Sequence, residues 1–370
     1  MPRINYGIPY KGSKNMIAEW VVSHVPECDT FIDVFAGGCA IADCVLRKGR
    51  AKHVIANDRD PMPVKCFEMA MFGEFANEDR WISREAFFML KDTDPYVRFC
   101  FSFGNNAKSY MYNTTIEPYK RAVHYVLCHD YWDDFNRLCP EVCDACHAAL
   151  DGVTDRKERR IRFQKTFTNR IKELSGDNWF APIVQNNPLY RTVKTKNPKR
   201  GLVAGGGSYA PLESDYGLQN LERLERLQSL QSLERLERLE GLVGLQNLIS
   251  LERLQSLQSL EPTLETANLD YRELTERILT TDDAFAYCDP PYRGAAGYGE
   301  FDHDAFLDWA FEIGRKRPIL ISEYAIDHDG FVEVDAKQKQ SNFSAVTSTV
   351  VTEKLYTVKG GVYATQNNIR

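Results

Sequence analysis

The sequence predicts an α/β protein whose nucleotide-binding sheet is built from both ends of the chain. Residues 29–34 form a short apolar run that ends in Phe35-Ala36-Gly37-Gly38, and residues 41–46 follow with helical spacing. This order is typical of a strand, a glycine turn and a helix. A second apolar run at 53–56 ends in Asn57-Asp58. Two such units open a sheet whose ligands lie across the carboxyl ends of its parallel strands.

The C-terminal part of the chain predicts the remaining strands. Residues 284–288 and 318–322 have buried-strand patterns, and residues 302–314 between them have helical periodicity. Runs at 346–351 and 353–358 predict a β-rich tail. A mostly helical stretch and a repeat interrupt the sheet. The predicted parts are a sheet domain at 1–81 and 276–370, a helical domain at 82–210 and a repeat insert at 211–262.

Composition excludes two broad classes of protein. With 43% hydrophobic and 26% charged residues, the chain is not generally disordered. No apolar run approaches the roughly 18 residues that span a bilayer, so we expect no membrane enzyme. The N-terminus has no signal-peptide pattern, and the ten cysteines are scattered rather than spaced as in a disulfide framework. We therefore expect a cytoplasmic protein with reduced thiols.

The middle of the chain is basic although the net charge is −6. Residues 151–201 hold thirteen Lys or Arg against five acids, a net of +8. Such a run is either a solvated helix face or a surface for phosphates. Four of its cations, near Asn197-Pro198 and a glycine triplet at 205–207, predict a loop that lies on a phosphate backbone: Lys194, Lys196, Lys199 and Arg200.

A leucine repeat follows the basic region. From Leu218 to Leu260 every third residue is leucine, fifteen in all. On an α-helix three residues advance 300°, so these leucines would spiral around the rod, whereas on a 3₁₀-helix they share one edge. The period therefore favours a 3₁₀ conformation. The repeat is either a tolerated appendage or a surface for DNA contact or self-association.

The strip Asp289-Pro290-Pro291-Tyr292 directly follows the predicted strand at 284–288. Its residues suit methylation of an amine conjugated to a ring, which is a poor nucleophile. A side-chain carboxylate and a backbone carbonyl, from Asp289 and Pro290, would accept the two N–H groups and hold the developing positive charge. Tyr292 offers a flat face for a base turned out of a duplex. The alternative interpretation is a surface turn.

The order of these features resembles the Dam-like class of DNA adenine-N6 methyltransferases. That class has an N-terminal cofactor loop, a Phe-x-Gly-Gly turn, an acid after the second strand, a recognition domain and then Asp-Pro-Pro-Tyr. The chain has Tyr10-Lys11-Gly12-Ser13-Lys14, Phe35–Gly38, Asn57-Asp58, the basic insertion and the strip in that order. The resemblance implies a Rossmann-like methyltransferase sheet with an inserted DNA-recognition domain, S-adenosylmethionine as methyl donor, double-stranded DNA as partner and a bacterial or phage-encoded enzyme.

The resemblance also implies residue roles. The catalytic group comprises Asp289, Pro290, Pro291 and Tyr292. The cofactor group comprises Tyr10, Lys14, Asp33, Phe35, Ala36, Gly37, Gly38, Asp58 and Asp289. The DNA-contacting group comprises Lys11, Asn105, Asn106, Lys108, Tyr110, Arg191, Lys194, Lys196, Lys199 and Arg200. The chain departs from the family at Val34 and Cys39, which replace a proline and a third glycine, and in its leucine repeat.

Several alternatives stay open at this point. The acceptor could be cytosine N4, RNA adenine or a protein amide, but Asp289 favours adenine, since those sites more often carry Ser or Asn there. A non-catalytic DNA-binding or assembly protein built on the repeat is disfavoured by the intact motifs. Cys139, Cys143 and Cys146 with His147 could hold zinc, although their spacing equally suits one buried helix stripe. We predict no metal.

Overall fold

The computed structural model describes residues 4–105, 107–175, 243–260, 263–293, 301–341 and 349–369. The chain divides into two compact units, one formed by residues 1–111 and 244–370 and the other by residues 112–243. No helix within the described ranges is long and apolar enough to cross a membrane.

The first unit is a mixed α/β structure around a seven-stranded sheet of the described residues. Its strands are β1 Cys28–Asp33, β2 Ala51–Asn57, β3 Thr263–Ala267, β4 Ala284–Cys288, β5 Ile319–Glu323, β6 Phe331–Ser341 and β7 Thr349–Val358. The strand order is β3-β2-β1-β4-β5-β7-β6; the first five strands are parallel, and β7 is antiparallel to both of its neighbours. The strand order reverses beside β1, where open α/β sheets bind their ligands.

Helices connect the strands of the first unit, and the second unit is helical over its described residues. In the first unit they are α1 Ala18–Ser23, α2 Ala40–Lys48, α3 Pro61–Met71, α4 Arg84–Leu90 and α5 Pro95–Cys100. The second unit supplies α6 Glu117–His129, α7 Asp133–Leu138, α8 Pro140–Leu150 and α9 Arg156–Ser175. The chain continues with α10 Val243–Glu252, α11 Thr275–Thr280, α12 His303–Gly314 and α13 Val362–Gln366. Short 3₁₀ turns lie at Lys14–Met16, Phe103–Asn105, Arg253–Ser259 and Tyr271–Leu274.

The predicted strands fall on observed ones. Four predicted runs coincide with observed strands to within two residues at each end. They are 29–34 with β1, 53–56 with β2, 284–288 with β4 and 318–322 with β5. These strands are recognisable because both sheet faces are covered, so their sequences are nearly continuously apolar. The two predicted tail strands are instead one strand, β7. The unpredicted β3 and β6 are the sheet's two edges, where polar residues are common.

The helix predicted at 302–314 forms as α12, and Asp302 caps it by accepting the Ala305 amide at 3.0 Å. Its apolar residues Phe306, Ala310 and Ile313 are buried in the core beside β4 and β5. Helix α12 therefore supports the part of the sheet from which the strip emerges.

The described end of the leucine repeat packs in the first unit. Residues 244–260 belong to the unit that contains the sheet, as do residues 82–111. Leucines 245, 248, 251, 254 and 257 are all buried, and Asn247 donates to the carbonyl of Phe99 at 3.0 Å. The proposed boundaries at 81, 210 and 262 remain predictions. The repeat's residues 218–242 lie outside the described residues.

The repeat's conformation changes within the described part. It is α-helical through Glu252 and becomes 3₁₀ only over Arg253–Ser259. A three-residue step falls 60° short of a full turn on an α-helix, so the leucines at 245, 248 and 251 spread over about 120°, which one apolar stripe can hold. The expectation of a uniform 3₁₀ rod is therefore wrong for Val243–Glu252, because a short α-helix tolerates this period.

The second unit is a small helical bundle over its described residues. Phe135 and Phe163 pack in its core with ring centroids 5.3 Å apart. Arg159 of α9 is buried and donates to the carbonyls of Val126 and Leu127 at 2.7 and 3.1 Å, which satisfies the last turn of α6. One cation of the basic run is therefore part of the bundle's core.

Three cysteines of this unit lie at the start of α8 and on its buried side. Cys139, Cys143 and Cys146 are buried free thiols, and burial raises the pKa of Cys146 to about 12. Within the described ranges, no group of three or more His, Cys, Asp or Glu side chains is placed to hold a metal. The observed contacts are those of a packed helix stripe.

Candidate active site

Acidic side chains converge on the carboxyl edge of the central strands. Strand β1 ends at Asp33, β5 ends at Glu323, and Asp289 immediately follows β4. These three strands are parallel neighbours, so their carboxyl ends meet at one edge. Glu353, fully buried on the antiparallel β7, lies beside Lys354, which pairs with Glu323. The sheet thus gathers four carboxylates near the strip.

Lys14 is the cation that faces this cluster. It is buried, and its Nζ lies 2.7 Å from Asp289 Oδ2 and 3.7 Å from Glu353 Oε1. Ser13 caps the 3₁₀ turn that carries Lys14 by accepting the Asn15 amide. The turn therefore places a positive charge from the N-terminal loop beside the strip at residues 289–292.

Asp289 is held on one side only. Oδ2 takes the ion pair with Lys14, whereas the buried Oδ1 has no hydrogen-bond partner among the described residues. Burial raises the pKa of Asp289, and the Lys14 charge partly offsets that effect. An oriented carboxylate with one unsatisfied oxygen is ready to accept a hydrogen bond from a ligand.

Tyr292 is fixed by its hydroxyl and its ring. The hydroxyl donates to Glu353 Oε1, and Lys14 Nζ lies 4.6 Å from the ring centroid. The Tyr324 ring meets it nearly at right angles, with centroids 4.6 Å apart. Stacking of a base on Tyr292 therefore requires that Lys14 or Tyr324 move, and Tyr324 is the more exposed of the two, at 37%.

The carbonyls of the strip are also constrained. Nε2 of His303, the first residue of α12, lies 2.7 Å from the Pro291 carbonyl oxygen. A carbonyl only accepts, so His303 must donate through Nε2. Pro290 is buried and lines a concavity beside β5 and α12.

Asp33 is the most deeply buried acid at this edge. It is 1% exposed, and neither carboxylate oxygen has a hydrogen-bond partner of good geometry among the described residues. Burial raises its pKa well above the usual range, the charges of Asp289 and Asp58 raise it further, and the Ala42 amide opposes them. A buried polar group without a partner is costly, which indicates a missing donor.

Asp58 organises the neighbouring turn. Its Oδ2 accepts the Gly37 amide at 2.8 Å, and its Oδ1 accepts the Asp60 amide at 2.9 Å. Burial raises its pKa, although its side chain remains partly exposed. Asp58 thus links the end of β2 to the glycine turn after β1.

The glycine turn is packed under Tyr10. A Cβ atom on Gly38 would lie 2.5 Å from the Tyr10 Cβ, and Gly37 adopts a φ of +46°. Cys39 holds a φ of 57°, a conformation that favours the glycine that the family usually has there. Phe35 instead packs in the core, with its ring centroid 5.5 Å from that of Phe306. The turn's glycines are therefore needed for close packing.

The predicted DNA-contacting residues that the structure describes differ in exposure. Lys108 is exposed and Lys11 is half-buried. Asn105 donates to the Phe99 carbonyl at 2.9 Å. Tyr110 is 6% exposed and donates to the Ile82 carbonyl at 2.7 Å, which suits packing better than DNA contact. The others, Asn106, Arg191, Lys194, Lys196, Lys199 and Arg200, lie outside the described residues.

Comparison with known families decides between the sequence's alternatives. A family model described as D12 class N6 adenine-specific DNA methyltransferase matches residues 10–134. Over these residues the chain is similar to the D12 class of DNA adenine-N6 methyltransferases. The match includes the cofactor loop, the glycine turn and Asp58, but it stops before Asp289. A comparison with curated proteins finds no match. The predicted family, enzyme class and adenine-N6 methylation are confirmed.

Sequence reasoning did not identify two acids of this site. Glu323 could have been found, because it directly follows the run predicted as a strand at 318–322 and must end at the same edge as Asp289. Glu353 gave no such signal, since it lies within an antiparallel strand and only the packing shows that it points inward.

Proposed function

We propose that the protein binds S-adenosylmethionine at the carboxyl edge of β1, β2 and β4 and methylates N6 of an adenine turned out of duplex DNA. S-adenosylmethionine supplies an already activated methyl group. The chain therefore has to orient the two reactants and hold the charge that develops on N6.

The observation that carries this proposal is the unsatisfied Oδ1 of Asp289. Its partner oxygen is fixed by Lys14 at 2.7 Å, so Oδ1 is oriented as well as unpartnered among the described residues. One N6–H group donates a hydrogen bond to Oδ1 and the other donates to the Pro290 carbonyl. These two hydrogen bonds draw electron density onto the nitrogen. A preorganised acceptor of this kind stabilises positive charge without reorganising during the reaction.

The residues around the glycine turn suit the methyl donor. The unpartnered carboxylate oxygens of Asp33 fit a cationic amino group, and the partly exposed Asp58 fits ribose hydroxyls. Tyr10 and Gly38 shape the turn between them. The charge balance supports this assignment, because Lys14 is one cation among several buried acids and the donor brings positive charge.

Tyr292 and its neighbours suit the base. We assign the stacking face to the Tyr292 ring, with Tyr324 as the side chain that swings aside. The Tyr292 hydroxyl stays on Glu353 and fixes the ring's position. Lys108 and Lys11 are the described cations that we assign to the DNA phosphates.

The test is methylation of random-sequence duplex DNA with labelled S-adenosylmethionine, followed by mapping of the modified bases. We expect N6-methyladenine in one sequence context with the wild type and with Asp308→Asn, an exposed matched control on α12. Asp289→Asn should lower the rate at least about 100-fold. Absence of N6-methyladenine, or an unchanged rate with Asp289→Asn, contradicts the proposal.

A further inference from the structure

Beside the strip lies a concavity whose side chains the proposed chemistry does not use. Its lining includes Pro290, Arg293, His303, Ile321, Glu323 and Asp327. Apolar walls with a few polar groups, next to the strip, are typical of the border of a ligand-binding site.

Glu323 is the carboxylate that this concavity shares with the strip. Cys288 pairs with Ile321, so the continued parallel register sets Pro290 opposite Glu323. Glu323 is 7% exposed, and its Oε1 accepts the Tyr324 amide at 2.8 Å, which anchors the side chain. Pro290 and Glu323 therefore border one space from adjacent strands.

Methyl transfer to an amine produces a proton that must leave. The N6 lone pair forms the new bond to carbon, the carbon–sulfur bond breaks, and its electron pair stays on sulfur. The methylated nitrogen is then cationic and carries one proton too many. Burial raises the pKa of Asp289, but its Oδ2 lies in an ion pair with Lys14, and a proton on this carboxylate would weaken that pair.

We infer that Glu323 is a catalytic residue that accepts the N6 proton as the methyl group is transferred. The N6 proton that faces the Pro290 carbonyl passes to the neighbouring Glu323 carboxylate while the bond to carbon forms. Glu323 becomes neutral and later releases that proton through the mouth of the concavity. This inference rests on the proposed function, and it places the N6 edge of the target base beside Pro290, at the border of the concavity.

The surroundings of Glu323 suit this role. Burial raises its pKa to about 7, the Tyr324 amide and the Lys14 charge act in the opposite direction, and the Asp289 and Glu353 charges raise it. A proton acceptor works best when its pKa lies near the working pH.

The other charged groups of the concavity suit it less well. His303 donates Nε2 to the Pro291 carbonyl, so that nitrogen cannot take a proton. Arg293 is paired with Asp304, and it is a cation that cannot act as a base. Asp327 also lines the concavity, but it lies four residues beyond the end of β5. Glu323 is the acid that the strand itself positions.

The decisive measurement is the single-turnover rate of methyl transfer against pH, at saturating DNA and S-adenosylmethionine. The wild-type rate should rise with pH to a plateau, with a midpoint near the Glu323 pKa of about 7. Glu323→Gln should lower the plateau about 100-fold and abolish the midpoint. Glu312→Gln, the same change at an exposed position of α12, should match the wild type.

Two further measurements keep the outcomes separate. Binding of S-adenosylhomocysteine, measured by calorimetry, reports whether Glu323→Gln is folded. If Glu323→Gln is not folded, Glu323→Asp takes its place, and its methyl-transfer rate should still rise with pH. A wild-type rate and midpoint in Glu323→Gln, or a defect removed by saturating DNA, would overturn the inference. If the wild type itself makes no N6-methyladenine, the proposed function fails instead.

Discussion

Replacing Lys14 by methionine tests whether one buried lysine stabilises the acidic cluster. Lys14 is 9% exposed, and it lies 2.7 Å from Asp289 and 3.7 Å from the fully buried Glu353. Methionine keeps much of the volume but removes the charge. Both carboxylates then lose their neighbouring cation while their burial is unchanged.

The expected loss of stability depends on pH. Removing one partner of a buried ion pair costs about 3–5 kcal/mol. Burial raises the pKa of Asp289 and Lys14 lowers it, so the variant's Asp289 has a still higher pKa in the folded state. A carboxyl whose pKa is raised by folding loses stability as the pH rises. The extra loss is about 1.4 kcal/mol per pH unit for each proton taken up.

Between pH 6 and pH 8 the Lys14→Met defect should therefore grow by up to about 2.7 kcal/mol for one proton. The assay is thermal unfolding of wild type and variant at both pH values, compared as differences in melting temperature. Lys316→Met, at an exposed site, is the control and should change neither value. Glu353→Gln added to Lys14→Met should recover part of the loss. An equal defect at both pH values would refute the reasoning.

Three other substitutions test separate contacts. Tyr292→Phe removes the hydroxyl that donates to Glu353, so it should lower the free energy of unfolding by about 1–3 kcal/mol, measured by thermal unfolding. Tyr292→Ala also removes the ring, so its methylation rate should be much lower than that of Tyr292→Phe. Gly38→Ala would place a Cβ 2.5 Å from that of Tyr10, so we expect weaker S-adenosylmethionine binding in calorimetry; unchanged affinity would show that Tyr10 yields freely. Leu254→Ala, in the buried 3₁₀ segment, should cost about 2–5 kcal/mol in thermal unfolding, whereas exposed Gln258→Ala should cost at most about 0.5 kcal/mol; equal effects would contradict the packed role of the repeat.

The central sheet could be predicted because its strands are buried on both faces. β1, β4 and β5 read as continuous apolar runs, so the sequence alone placed Asp33 and Asp289 at one edge. The edge strands β3 and β6 were missed, since Thr263–Ala267 and Phe331–Ser341 carry the polar residues of partly exposed strands. Burial of both faces, rather than strand length, made a strand recognisable.

The chemistry of the strip was predictable from residue types, but its connections were not. Asp289 and Tyr292 can be recognised because they lie within one run of four residues, Asp-Pro-Pro-Tyr. Their partners Lys14 and Glu353 lie 275 and 64 positions from Asp289 in the sequence, and no local pattern joins residues so far apart. The fold brings them together because the N-terminal loop and β7 both reach the carboxyl edge of β4.

The acids at this edge favour a cationic ligand over a neutral one. Asp33 and Asp289 are buried with unpartnered oxygens among the described residues, and Lys14 is already engaged with Asp289. If the proposed donor binds here, its sulfonium charge contributes to affinity before the transfer, and that charge is absent from the thioether formed afterwards. Transfer moves the positive charge to N6, next to Asp289, and Glu323 then removes it as a proton. The acids that attract the sulfonium donor therefore bind the thioether product less tightly, because the product has lost the sulfonium charge. The residues that promote the reaction thus also favour release of the thioether.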